Sequence, residues 1–245
     1  MGNDDKIYLA VDCGNSSAKV GIFEGHTLKQ QFTYSMQDEL KFFLENFSTD
    51  GIIISSVAQD PLIISSWAAK AKRKYILDSS VPLPIKNLYA TQDTLGLDRI
   101  AGVCGAHRRF PDANCLVVDA GTCITYDFID KNGNFQGGGI SPGLQMRFMA
   151  VHTFTSKLPL VSPHDDVPLI GNTTSSCIQS GVVNGLVEEL NGIIIRYRQR
   201  FDGLKVILCG GDARFFENKL KGSIFAVPEL VLNGLNSILI YNVGR

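Results

Sequence analysis

The sequence lacks the features that mark several large functional classes. Its net charge is −1, from 23 basic and 24 acidic residues among 245. No overall field therefore draws it to nucleic acid or to an anionic membrane surface. No apolar run approaches the ~18 residues of a membrane span, and the polar opening MGNDDKIYLAVD is unlike a secretory signal. The six cysteines are scattered without a C-x-x-C pair, which points to buried thiols in a reducing compartment rather than a disulfide framework. The four histidines form no ligand-spaced cluster and no H-E-x-x-H occurs, so a structural zinc is not expected. Walker A, the Rossmann G-x-G-x-x-G and the G-x-S-x-G elbow are absent too. The expectation is a soluble, cytoplasmic protein that binds no nucleic acid and no membrane. Any anionic ligand must then be held by local devices: backbone amides, single cations, metal ions.

What is present suits two small packed domains. Hydrophobic residues make up 44% of the chain and charged residues 19%. The apolar strand 7–11 runs through a Gly/Asn/Ser turn into a second strand at 18–23, which reads as a hairpin. Helical spacing marks 36–46 and 62–74, with strands at 51–57 and 75–77 around the second of these. The proline-bearing stretch 81–95 reads as a loop leading to a site, and a helix follows over 98–109. Later come a strand at 115–119, a glycine bend at 137–139, a turn at 141–143 and a helix from residue 144. A long helix spans 174–201, with Gly181 and Gly185 expected to allow close packing. The strand 205–209 runs into Gly210-Gly211, and a closing helix spans 229–241.

One pattern occurs twice. CLVVDAGTCITYDFIDKNG follows the plan of YLAVDCGNSSAKVGIFEG: an apolar strand, Val-Asp-x-Gly, a small polar residue, a second strand and a glycine turn. Asp12 and Asp119 lie about half the chain apart, and a repeated unit implies a repeated structural role. Such turns suit phosphoryl transfer, because a backbone free of side chains approaches phosphates closely and an aspartate at a strand end can place a cation. The alternative is that both are ordinary hairpin turns, each aspartate making a local backbone bond. Lys19 is placed either to reach a phosphate or to sit in solvent.

The segment Gly96-Leu97-Asp98-Arg99 opens a helix with an acid and a base. A cap explains Asp98, which accepts free N–H groups at a helix start. It does not explain Arg99, since a cation there is locally unfavourable. Together they could hold a ligand with a hydroxyl and a carboxylate, Asp98 accepting the alcohol proton and Arg99 binding the anion.

In this order the motifs Asp12-x-Gly-Asn-Ser-x-x-Lys19, Gly96-Leu-Asp-Arg99, Asp119-x-Gly-Thr122-x-x-Thr125 and Gly138-Gly-Ile-Ser-Pro-Gly143 resemble the signature blocks of type III pantothenate kinases, within the actin/Hsp70/sugar-kinase superfamily. The resemblance implies an α/β fold of duplicated ribonuclease-H-like (actin-like ATPase) domains, residues 1–112 and 113–245, with a cleft between them. It implies ATP-dependent phosphorylation of pantothenate, the first step towards coenzyme A, with Asp98 as general base. The matching ATP phosphate loop is Asp12, Cys13, Gly14, Asn15, Ser16, Ser17, Ala18 and Lys19, joined by Thr122. The matching pantothenate site is Tyr89, Gly96, Leu97, Asp98, Arg99 and Thr174. Asp119 matches the ligand of a monovalent cation, K⁺ or NH₄⁺, and Asp12 lies near Mg²⁺. The family implies a homodimer with the substrate site completed at the subunit interface.

The sequence departs from the family in Tyr89-Ala-Thr-Gln, in Cys123 and in Gly171-Asn-Thr-Thr174, which affects loop detail and the register of Thr174. Two rivals remain at this point: a kinase of the same superfamily acting on another hydroxy acid or sugar, and a regulatory relative that kept the fold without turnover.

Overall fold

The computed structural model describes residues 5–15 and 17–245. The chain forms two compact units. Unit 1 comprises residues up to Pro111 together with Gly133–Phe135 and Glu229–Arg245, and unit 2 comprises Asp112–Asn132 and Gln136–Pro228.

Unit 1 is built on a sheet of five strands: β1 (Ile7–Cys13), β2 (Ala18–Glu24), β3 (Thr27–Tyr34), β4 (Gly51–Ser56) and β5 (Lys74–Ile76). Their order is β3-β2-β1-β4-β5. β1, β2 and β3 pair antiparallel, and β4 and β5 join β1 in parallel. The parallel steps require crossover helices, which are α1 (Gln37–Asn46) and α2 (Pro61–Trp67). Leu40 and Leu44 of α1 and Ile64 of α2 pack on Leu9, Val11, Ile52 and Ile54. Pro61 opens α2, and the Asp60 side chain caps it by accepting the Leu62 N–H at 2.9 Å.

The apolar spacing over 62–74 suggests a longer helix than is found. After Trp67 the chain is captured by sheet pairing instead: Ala71 bridges to Thr49, Lys72 N–H donates to Thr49 O and Lys74 begins β5. Tertiary pairing overrides the helical pattern there.

The loop 81–95 contains a two-residue strand, β6 (Lys86–Asn87), and one 3₁₀ turn at Gln92–Thr94. It leads to α3 (Leu97–Arg109), in which every residue from Arg99 to Ala106 is buried.

Unit 2 carries β7 (Cys115–Ala120), β8 (Cys123–Ile129), β9 (Asn134–Pro142), β10 (Lys205–Cys209) and β11 (Phe225–Ala226). Their sheet order, β11-β10-β7-β8-β9, reproduces the chain succession of the first sheet strand for strand. β6 lies beyond β9 and pairs only with Asn134 and Phe135, which belong to unit 1. The crossover to β10 runs through α4 (Leu144–Thr153), α5 (Thr174–Gln179) and α6 (Gly185–Arg200), with a π-helical stretch at Ser180–Asn184 joining the last two. The predicted single helix over 174–201 is therefore continuous but locally underwound, because the i→i+5 bonds of the π stretch put more residues into each turn. Its Gly181 and Gly185 face open space, contrary to the close packing expected of them. A short α7 (Ala213–Glu217) follows β10.

The glycine run 137–139 is part of β9 and not a bend. A Cβ on Gly138 would lie 1.4 Å from the Tyr126 carbonyl oxygen, so the backbone passes where no side chain fits.

The closing helix α8 (Leu230–Val243) packs on β1, β4 and α3, so it belongs to unit 1 although it follows the second sheet in sequence. α3 follows the fifth strand of the first sheet, and α8 follows the fifth strand of the second. The two cross at glycines: a Cβ on Gly234 would sit 1.7 Å from Ala101 O, and one on Gly105 would sit 2.5 Å from Leu230 O. Backbone-to-backbone contact at this crossing fixes the axis of α3, and with it the place of the residues at its start.

Candidate active site

The first Asp-x-Gly turn grows out of a strand buried on both faces. In the β1–β2 ladder Asp12 pairs with Lys19, and on the β4 side it pairs with Ser55. Residues opposed in a ladder share a face, so the carboxylate, the ammonium stem and the hydroxyl leave the sheet together. Cys13 points the other way into the core, where burial and then the Asp12 carboxylate push its thiol up to about 12. Cys13 therefore takes part as packing and through its backbone. Gly14 N–H donates to Ser17 O at 3.0 Å, which closes the turn with Asn15 exposed at its tip and Ala18 buried at the start of β2. Ser16 lies outside the described residues.

The second turn sits at the corresponding place in its sheet: Asp119 pairs with Thr125 on β8 and with Cys209 on β10. It is tighter, with Gly121 N–H donating to Cys123 O at 3.0 Å and Thr122 exposed. The glycine loop after β10 folds against it. Gly210 adopts φ +93, and a Cβ there would fall 2.4 Å from both Asp119 Oδ1 and Ala120 O. A carboxylate and a carbonyl oxygen thus crowd a position that only glycine leaves open. Asp212 N–H donates to Ala120 O at 2.8 Å, which ties the loop to the turn. Burial raises the Asp212 carboxyl above its ordinary value, and Asp212 has no side-chain partner among the described residues. The sequence singled out Gly210-Gly211 as a third glycine loop but not Asp212.

The substrate-side residues gather at the start of α3. Asp98 is exposed, and its Oδ1 accepts the Arg99 N–H at 2.8 Å, so it does cap the helix in part. Gly96 leaves room for that carboxylate: a Cβ at 96 would lie 2.6 Å from Asp98 Oδ1, so a larger residue would make the Asp98 side chain turn away. Leu97 is half-buried beside it. Arg99 is 8% exposed, with its guanidinium 5.5 Å from the centre of the Tyr89 ring, a cation–π distance. Tyr89 in turn stacks on the buried Phe135 at 6.2 Å and 7°. Asn87 Oδ1 accepts the Tyr89 N–H at 3.0 Å, and Leu88 N–H donates to Phe135 O at 2.9 Å. Phe135, Tyr89 and Arg99 therefore form one stack ending beside Asp98.

Phe135 was missed from the sequence. Its only signal was an aromatic just before the glycine run. Thr174 is exposed in the first turn of α5, whose capping box is made by its neighbour Thr173 with Ser176.

A groove of about 650 Å³ elsewhere in unit 2, between Gly137–Gly139 of β9 and the last turns of α6, is lined by none of these residues. Among the described residues no group of three or more His, Cys, Asp or Glu side chains is placed to hold a metal, and no helix is long and apolar enough to cross a membrane.

Comparison with known proteins decides the family. The sequence profile of type III pantothenate kinases matches residues 8–196. A type III pantothenate kinase of Bacteroides fragilis is 42% identical over 240 residues, covering 97% of this chain and 99% of that protein. The chain belongs to the type III pantothenate kinase family. Among solved structures, a Baf family transcriptional activator from Campylobacter jejuni superposes with a TM-score of 0.64 at 22% identity, covering 97% of this chain and all of the other. The ROK hexokinase of Thermus thermophilus gives a TM-score of 0.50 at 11% identity, covering 97% of this chain and 99% of the other. At these identities the structures speak for the fold alone. This type III pantothenate kinase family member has a mixed α/β fold with two sheets, and the sugar-kinase-like fold expected of it is the one observed.

Proposed function

We propose that this chain transfers the γ-phosphate of ATP to the primary hydroxyl of pantothenate, the first step of coenzyme A synthesis, with Asp98 as general base. Membership of the type III pantothenate kinase family along nearly the whole chain carries the reading. An exposed carboxylate at the start of α3, beside a Tyr89–Arg99 stack, supports the role given to Asp98.

In this reading Asp12 to Lys19 and Thr122 contact ATP. Tyr89, Gly96, Leu97, Asp98 and Arg99 bind pantothenate, joined by Thr174 of a second copy in a homodimer. Asp98 takes the hydroxyl proton as the alcohol oxygen attacks phosphorus and the ADP oxygen leaves. Arg99, held by its aromatic stack, supplies fixed positive charge for the substrate carboxylate. Rate comes mainly from positioning, because the transition state of phosphoryl transfer is loose.

The residues at both Asp-x-Gly turns fit cations that prefer oxygen ligands. Asp12 is a half-buried carboxylate at a strand end, and Asp119 sits with Ala120 O around a spot that a Cβ would fill. We assign Mg²⁺ to Asp12 and K⁺ or NH₄⁺ to Asp119; such cations neutralise charge on the phosphate oxygens when bound.

The test is ADP release by the purified protein with pantothenate, compared with a panel of other hydroxy acids and sugars, with and without K⁺. Pantothenate-dependent release is expected, and release only with another acceptor sinks the substrate assignment. Asp98→Asn should cut turnover by about 10²–10⁴-fold while ATP binding stays near wild type. Near-normal turnover in that variant removes Asp98 from the role of base.

A further inference from the structure

One polar network in unit 2 has no part in the roles assigned so far. Glu189, in the second turn of α6, places both carboxylate oxygens on three other elements. Its Oε1 accepts the Tyr126 hydroxyl of β8 at 3.0 Å and the Ser141 hydroxyl of β9 at 2.6 Å. Its Oε2 accepts Arg147 Nη2 of α4 at 2.6 Å. Arg147 Nη2 also donates to Ser141 Oγ at 2.7 Å, and its Nε donates to Pro142 O at 2.9 Å. Burial opposes ionisation of Glu189, but the bonds from Ser141, Arg147 and Tyr126 hold its carboxyl below the ordinary value.

These bonds converge on the corner Ser141-Pro142-Gly143, and that corner supports the second phosphate turn. Gly143 N–H donates to Thr122 O at 3.2 Å. A Cβ on Gly143 would lie 2.3 Å from Gly121 O and 2.4 Å from Thr122 O. The turn therefore rests on the bare Cα of Gly143, and a shift of the corner is passed to Thr122 without slack. Apolar packing alone would fill the space around Ser141 but would not fix the corner along the strand. A carboxylate bonded to three elements does, because each bond is directional and each polar group in the network has a partner.

We propose that Glu189 is a positioning residue for the nucleotide. Through Ser141 and Arg147 it sets the Pro142–Gly143 corner, and so the place of Thr122 against ATP. The inference rests on the reading of Thr122 as an ATP contact. It goes further by assigning the nucleotide side of the reaction a residue in the second turn of α6, remote in sequence from both Asp-x-Gly turns.

The experiment compares wild type, Glu189→Gln, Tyr126→Phe, Thr122→Val and the double variant Arg147→Met/Glu189→Leu. It reads Tm, affinity for a fluorescent ATP analogue, and the KM for each substrate. Glu189→Gln should raise the KM for ATP about tenfold, the scale of one lost charge-assisted hydrogen bond, with the KM for the alcohol substrate changed less than about twofold. The double variant restores apolar packing, so Tm should recover towards wild type while the ATP defect persists. That split separates positioning from mere stability.

Recovery of both Tm and nucleotide affinity in the double variant overturns the proposal, as does an unchanged KM for ATP in Glu189→Gln. Should Glu189→Gln fail to fold, Tyr126→Phe, which removes a single bond, decides the matter through the same nucleotide affinity. Loss of analogue affinity in Glu189→Gln upholds the proposal even if wild type shows no pantothenate-dependent ADP release, in which case the substrate reading alone fails. Unchanged analogue affinity in Thr122→Val removes the contact that Glu189 is argued to position, and the proposal with it.

Discussion

Asp212 shows how a single residue can be at odds with its surroundings. Its backbone is used, donating to Ala120 O, while its carboxylate is half-buried without a side-chain partner among the described residues. Burial raises its folded pKa above the unfolded value, so the folded state binds the proton more tightly. The sign follows: wild type loses stability as pH rises from the unfolded towards the folded pKa, and the cost persists at neutral pH. Asp212→Asn should therefore raise Tm at pH 7, and the gain should shrink as the pH is lowered through 4. A melting series of the two proteins from pH 3.5 to 7.5 checks this, and a gain independent of pH would contradict the cause given. Ionisable groups kept in such surroundings concentrate at functional sites. The loop of Asp212 also closes over Asp119 at Gly210, so the same variant should weaken ATP binding as it gains stability.

At the level of elements, glycines do most to place the site, and they do so away from the helix where the sequence suggested. The crossing of α3 and α8 at Gly105 and Gly234 sets the line of α3, whose first turn carries Asp98 and Arg99. Gly234→Ala drives a Cβ to 1.7 Å from a backbone oxygen, and overpacking that cannot be relieved by a rotamer change should cost about 3 kcal/mol. The urea midpoint should fall while the slope holds.

This crossing also shows what the sequence could and could not disclose. The twin Asp-x-Gly hairpins were legible because a strand, a turn and a strand are local in sequence and leave a local pattern. The start of α3 was legible for the same reason. α8 was legible as a helix, but not its return to the first unit, because no short window records which sheet an apolar helix covers. β3 leaves no strand pattern, since six of its eight residues are exposed and none is fully buried. Residues 137–139 read as a bend because glycine usually breaks a strand, whereas here Gly138 is demanded by the Tyr126 backbone within β9. Phe135 and Glu189 were invisible for a related reason: each acts through partners remote in sequence, Tyr89 for one and Ser141 and Arg147 for the other.

At the scale of the whole chain, the thiols can report how each unit opens. Unit 1 is made from both ends of the chain, and unit 2 lies between them in sequence. The free cysteines divide between the two: Cys13 and Cys104 are buried in unit 1, and Cys115 and Cys209 are buried in unit 2. Burial pushes the Cys13 and Cys115 thiols up to about 12, and Cys104 up as well. Thiolates are the reactive form, so these groups stay silent towards an alkylating reagent at pH 8 until their unit opens. Cys177 is exposed and should label at once, with half-buried Cys123 slower. Pulse labelling across a urea series, read by peptide mass, then gives a midpoint for each unit. Gly234→Ala loosens α8 against α3 and should lower the midpoint of Cys104 and Cys13 by more than that of Cys115 and Cys209. This follows because cooperative units open with their own free energies, and both helices at the altered crossing belong to unit 1. If all four buried thiols moved together by the same amount, the α3–α8 crossing would be holding the entire chain in one cooperative body. The placing of Asp98 and the opening of the second Asp-x-Gly turn would then be controlled by a single contact between two glycines.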